Sequence, residues 1–332
     1  GSCDLIMGIS KQSDNIHREV LKQNNFGVYD FNGVAEPKDH LDWNEIVTGF
    51  VPHGLNDNIF KPIPATDELY QKYYNDVKVK QDIEFLVFWN NRNIRRKLPG
   101  DVILSFQQDK VGLLMHTQAI DNNGTDLRAI HEKVAPECKI IFSERKVGVL
   151  ELNAMYNISD VVINIASNEG WGLSCTEAML SGTPTINNVT GGLQDQCGFL
   201  DENNEWITFN DKFSTNHNGR YKLNHGKWVI PVFPSNRSLQ GSPVTPYIFD
   251  DRPSFEDVAD AMMGWWNTSK DERTECGLAG REFCLEKGLT GKEMANNMIR
   301  MIDFLFDQPK KKRPKYVLYK SETKQYKEMG IV

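Results

Sequence analysis

Glu169 and Glu177 are two carboxylates with seven residues between them, and Gly170, Trp171, Gly172 and Leu173 follow the first directly. The β-branched run at 160–165 just before them reads as a buried strand. Leu173, Ala178, Met179 and Leu180 then give a helix pattern, which Ser181-Gly182-Thr183-Pro184 stops. Across one to two turns of that helix the carboxylates lie about 10 Å apart, at ~1.5 Å per residue. Two acceptors at that separation can bracket one ligand, each gripping different hydroxyls. The glycines let backbone approach such a ligand closely. The N–H groups and dipole at the start of the helix favour phosphate. A plainer reading stands beside this one, in which both Glu residues only complement the helix dipole.

The elements that would hold this stretch form an alternating series. Strand patterns at 83–89, 111–117, 138–143, 160–165 and 183–187 alternate with helix patterns at 99–108, 126–134, 147–156 and 173–180. Such a series predicts a parallel sheet with helices on both faces, with ligands at the carboxyl ends of the strands. The loop after the first of these strands, at 90–97, carries Arg92, Arg95, Arg96 and Lys97. It reads either as part of an anion site or as a solvated basic loop. Residues 3–10 and 46–52 read as strands and 11–23 as a helix. A polar helix is expected over 66–81, an irregular insert with a short strand at 228–233, and helices from 251 to 306.

The motif Glu169-Gly170-Trp171-Gly172-Leu173, followed by Glu177-Ala178-Met179, Gly182-Thr183-Pro184 and Gly191-Gly192, resembles the donor signature of retaining GT-B-fold glycosyltransferases of the family 4 type. The resemblance implies a fold: an α/β, Rossmann-like parallel sheet with helices on both faces, the C-terminal half of a GT-B fold, closed by C-terminal helices. It also implies roles. Glu169 sits by the donor sugar, Glu177 binds the ribose, and the Gly170–Leu173 backbone contacts sugar and pyrophosphate. Arg92 and Lys97 have the five-residue spacing of the family's pyrophosphate-binding pair, and with Glu169 they are the expected catalytic groups. Asp195 replaces the Glu of the family's glycine-pair loop, whose glycines serve either ligand approach or a tight turn. The 143–145 loop corresponds to one that touches the nucleobase.

The same resemblance divides the chain. Residues 1–62 are expected to be a remnant of the N-terminal domain plus the interdomain link, which ends in Pro52-His53-Gly54 and Phe60-Lys61-Pro62. Residues 63–308 are the nucleotide-sugar domain, with an insert at 197–251, and 309–332 a basic tail. The partner of the donor domain, most of the N-terminal domain, is then missing. The apolar face of the final helix is left for solvent or for a second copy in a homo-oligomer.

The expected function is retaining hexosyl transfer from a UDP- or GDP-sugar to an acceptor that is a glycan, lipid, protein or modified base. No cofactor or metal is expected, since no DxD-type motif or His cluster accompanies the site. Rival readings are a donor-binding fragment without activity and a GT-B-fold epimerase or phosphorylase. A dinucleotide oxidoreductase lacks its early G-x-G-x-x-G. A net charge of −7 argues against a general nucleic-acid or membrane surface. No apolar run approaches the ~20 residues of a membrane span. Six scattered cysteines without a CxxC pair suit a reducing compartment, so a cytoplasmic location is expected.

Overall fold

A computed structural model describes residues 3–32, 41, 44–106, 111–207, 224–243 and 245–307. The chain opens with β1 (Leu5–Gly8), α1 (Lys11–Gln23), β2 (Gly27–Asp30) and β3 (Glu45–Phe50). Next come α2 (Glu68–Tyr73) with its π-helical continuation (Tyr74–Val79), and then β4 (Phe85–Asn90). A short 3-10 turn (Arg95–Lys97) leads into α3 (Pro99–Leu104), β5 (Val111–His116), α4 (Leu127–Val134), β6 (Lys139–Ser143) and α5 (Val149–Ile158). They are followed by β7 (Val161–Asn164), α6 (Leu173–Leu180), β8 (Thr185–Asn188) and α7 (Gly191–Gln196). The chain continues through β9 (Val229–Val232), β10 (Asn236–Ser242) and β11 (Thr245–Arg252) to α8 (Phe255–Asn267), α9 (Lys270–Glu286) and α10 (Gly291–Asp307).

The main sheet has six strands in the order β6-β5-β4-β7-β8-β9, every neighbouring pair parallel. Both faces are covered, so its strands are near-continuous hydrophobic runs. On β4 the side chains alternate between two cores. Phe85, Val87 and Trp89 join Ile103 of α3, Leu127 of α4 and Trp265 of α8. Leu86 and Phe88 join Tyr156 of α5, Met179 of α6 and Phe283 of α9. The order reverses between β4 and β7, which is where an open parallel sheet leaves a crevice for ligand. The loops that leave those two strands carry residues 91–98 and 165–172.

The N-terminal part has one strand, β2, beyond the two strands and helix expected there. β1, β3 and β2 pair in parallel as a separate three-stranded sheet with its own small core. The final helix covers this core. Met301 is fully buried there and Phe304 stacks on Tyr29 at 5.0 Å between ring centroids. Ile299 and Phe306 remain exposed, so the expected free apolar face is partly occupied from within the chain.

Two further expectations are corrected. The glycine-pair loop folds as a short helix, α7. The insert is not irregular beyond its one strand, because β10 and β11 pair as an antiparallel hairpin. The ion pair from Arg252, at the hairpin's end, to Asp101 fastens it to α3. Residues 208–223 of the insert and the basic tail lie outside the described residues.

Candidate functional site

A cleft of about 320 Å³ lies at the β4/β7 reversal. Asn90 and Asn91 come from the end of β4, Lys97 from the loop beyond it, and Glu169, Trp171 through Ser174 and Glu177 from the turn into α6, while Gly170 of the expected set does not line it. Ile9 and His53 reach in from the N-terminal part. The turn is built for close approach. Gly172 precedes α6 at φ +94°, a left-handed conformation that glycine adopts freely. A Cβ there would also come within 2.4 Å of Leu193.

Glu169 is 9% exposed and held by two cations. Arg96 reaches its Oε2 at 3.1 Å, and Lys97 contacts Oε1. Arg96 also donates to the Asn168 carbonyl at 2.9 Å. The backbone N–H of Ser167 donates to the Arg96 carbonyl at 2.7 Å, so the two loops are tied together. Burial and the neighbouring Arg96 guanidinium push the Lys97 ammonium down to about 8.

Glu177 lies partly buried, farther along α6. Its Oε2 accepts from the Tyr156 hydroxyl at 2.5 Å and from Asn90 Nδ2 at 3.3 Å. Burial raises its carboxyl above the ordinary value, and those two hydrogen bonds oppose the rise. Its Oε1 accepts no hydrogen bond among the described residues, so an acceptor remains for a ligand hydroxyl.

Trp171 plays a different part from its neighbours. Its indole is buried and its Nε1 donates to Thr176 Oγ1 at 2.9 Å. Gln196 closes the unit by donating to the Trp171 carbonyl at 2.6 Å. The side chain is a pillar under the turn, and only the backbone is left to meet a ligand. The glycine pair braces the same turn: Gly192 N–H donates to the Glu169 carbonyl at 2.9 Å. A Cβ on Gly191 would come within 2.1 Å of that carbonyl oxygen.

The structure separates Arg92 from the rest of the expected set. Its exposed side chain pairs with Asp121 at 3.0 Å. Arg96 stands where the five-residue spacing suggested Arg92, because the 3-10 turn at Arg95–Lys97 rotates it towards Glu169. Asp195 also faces away from the cleft. Its Oδ2 accepts from the Lys11 backbone N–H at 2.8 Å, at the first turn of α1. Burial drives its carboxyl up to about 7. The Lys11 ammonium lies 3.5 Å from the centroid of the Trp206 ring and donates to the Trp206 and Ile207 carbonyls. Glu144 and Arg145 are engaged in ion pairs with Arg128 and Glu151 and do not line the cleft. Asn90, His53 and Arg96 are additions that no motif singled out, although Arg96 was visible as a spare cation beside Lys97. Among the described residues no three His, Cys, Asp or Glu side chains are grouped so as to hold a metal ion.

Residues 127–213 match the family model for glycosyl transferases group 1. Trehalose synthase of Pyrococcus horikoshii is 33% identical over 119 residues, covering 33% of this chain and 26% of its own length. That of Thermococcus litoralis is 30% identical over the same span. The chain therefore aligns with about a quarter of these curated relatives. The structure of Anabaena HepE in complex with UDP-glucose superposes with a TM-score of 0.59 at 12% identity, covering 90% of this chain and 64% of that one. The α,α-trehalose 6-phosphate synthase of Burkholderia multivorans gives 0.61 at 11% identity, covering 91% and 60%. The resemblance to group 1 glycosyltransferases is borne out, and the fold is the Rossmann-like α/β fold of the GT-B type. Among the described residues no helix is long and apolar enough to cross a membrane.

Proposed function

We propose that this chain binds a nucleotide-diphospho-sugar in the β4/α6 cleft and supports retaining, metal-independent hexosyl transfer. One observation carries the reading: Glu169 and Glu177 line a single cleft together with Lys97 and the start of α6. Glu177 Oε1 would accept from the ribose hydroxyls. Lys97, Arg96 and the N–H groups at the start of α6 would take the diphosphate charge as it grows on the leaving group. UDP-glucose is the first donor to test, because the HepE structure is described as containing it. GDP-mannose stays on the panel.

In this reading the acceptor hydroxyl oxygen bonds to the anomeric carbon on the face the diphosphate is leaving. The carbon–phosphate-oxygen bond breaks, and the hydroxyl proton passes to the departing phosphate. Glu169 is no covalent nucleophile here, since two cations neutralise its carboxylate. It orients the sugar and stabilises the positive charge that develops on it. A second reading is donor binding without transfer; among the described residues before Pro62, Ile9 and His53 line the cleft. All six cysteines are free thiols, which supports a reducing, cytoplasmic setting. Single-turnover assays with labelled UDP-glucose separate the readings: released glucose or glycoside supports transfer, and binding without turnover supports the second.

A further inference from the structure

A second cleft, of about 380 Å³, flanks the same 92–98 segment that walls the donor cleft. Lys97 lines the first cleft and Arg95 the second. Ile94, Leu98, Pro99 and Ile130 give the second cleft an aliphatic lining, and Thr125 and Gln240 add polar groups to it. The β10–β11 hairpin supplies Gln240, Asp250 and Arg252. The volume falls within the ~300–1,000 Å³ range of small-molecule sites.

The lining identifies the class of ligand. Arg95 and Arg252 balance Asp101 and Asp250, so no net charge draws an ion in. Arg95 makes no side-chain hydrogen bond or ion pair among the described residues. Asp250 Oδ1 accepts from Ser167 Oγ at 2.9 Å and Asn168 Nδ2 at 3.2 Å, while its Oδ2 accepts from no described residue. A free guanidinium, a free carboxylate oxygen and a primary amide can meet the vicinal hydroxyls of a pyranose. The aliphatic side chains suit its C–H face. Asn168, which Asp250 holds, directly precedes Glu169, so the hairpin that lines this cleft is tied to the donor-site turn.

We propose that this second cleft binds a neutral saccharide unit of the acceptor and sets it next to the donor sugar. The proposal rests on the donor reading above for its role, and on its own geometry for the site. It assigns the hairpin a recognition task and puts an acceptor contact on the same half of the molecule as the donor.

The test is saturation-transfer NMR on the full chain with maltotriose, cellotriose and chitotriose, without nucleotide, alongside UDP titration. At least one trisaccharide is expected to bind. The exposed double substitution Arg95→Ala, Gln240→Ala should weaken it about tenfold, and Glu177→Gln should leave it unchanged. A signal from none of the three, or one that survives the double substitution, overturns the proposal. UDP binding alone would then leave the donor reading standing. Trisaccharide binding lost on double substitution, with no UDP binding, would keep the cleft and remove the donor reading. An unchanged thermal melt of the variant confirms that its fold is retained.

Discussion

Substituting Arg96 should damage donor binding, and substituting Arg92 should not. The Arg96 side chain is half-buried and donates to Glu169 and to the Asn168 carbonyl. A guanidinium hydrogen bond to a diphosphate oxygen contributes about 1.5–3 kcal/mol. Arg96 must give up part of its pairing with Glu169 to make that bond, so the lower end applies, or roughly tenfold in Kd for Arg96→Ala. Arg92 lies in solvent on Asp121, and its loss should leave the affinity for UDP within experimental error. Calorimetric titration of UDP into the two variants, with thermal melts to confirm folding, decides the matter. A larger loss from Arg92→Ala than from Arg96→Ala, or an unchanged Kd for Arg96→Ala, would refute the assignment.

Other outcomes follow from the same geometry. The Asp195 carboxyl rises from 3.8 to about 7 in the folded chain, so the folded state holds a proton that the unfolded state has released. Its contribution to stability is complete below pH ~4 and is lost as pH rises towards 7. Urea unfolding of the native chain and Asp195→Asn should therefore diverge across that window, and a flat difference between pH 4.5 and 7.5 contradicts the buried pairing. Gly191→Ala forces a Cβ against the Glu169 carbonyl at a φ of +49°. It should cost about 1–3 kcal/mol of stability and weaken UDP binding with it; loss of neither would show that the glycine pair does not brace the turn. Trp171→Ala removes a buried pillar and should destabilise by about 3–5 kcal/mol in urea unfolding. A cost under about 1 kcal/mol would mean that the indole is not part of the core.

The sheet and the carboxylate pair were legible because both are written in local periodicity. Strands such as Phe85–Asn90 are unbroken apolar runs, and the helix after Gly172 carries Glu177 at a fixed offset from Glu169. Arg96 was visible as a cation but its direction was not, because that depends on a three-residue 3-10 turn that spacing alone does not reveal. The partner of Asp195 lies 184 positions away in sequence. Only folding shows that this carboxylate joins α7 to α1 and not to a ligand. The hairpin was obscured by the turn signals of Pro243 and Pro246, residues that read as loop until two strands are seen to pair. His53 belongs to a link whose sequence announces a turn and says nothing of the cleft it lines.

The most direct test of the donor site is calorimetric titration of UDP, GDP and ADP, first without metal and then with Mg²⁺, on the native chain and on Glu177→Ala. The account predicts metal-independent binding, strongest for UDP, that weakens by at least about tenfold on substitution. UDP binding that is unchanged by Glu177→Ala, or appears only with Mg²⁺, would contradict it.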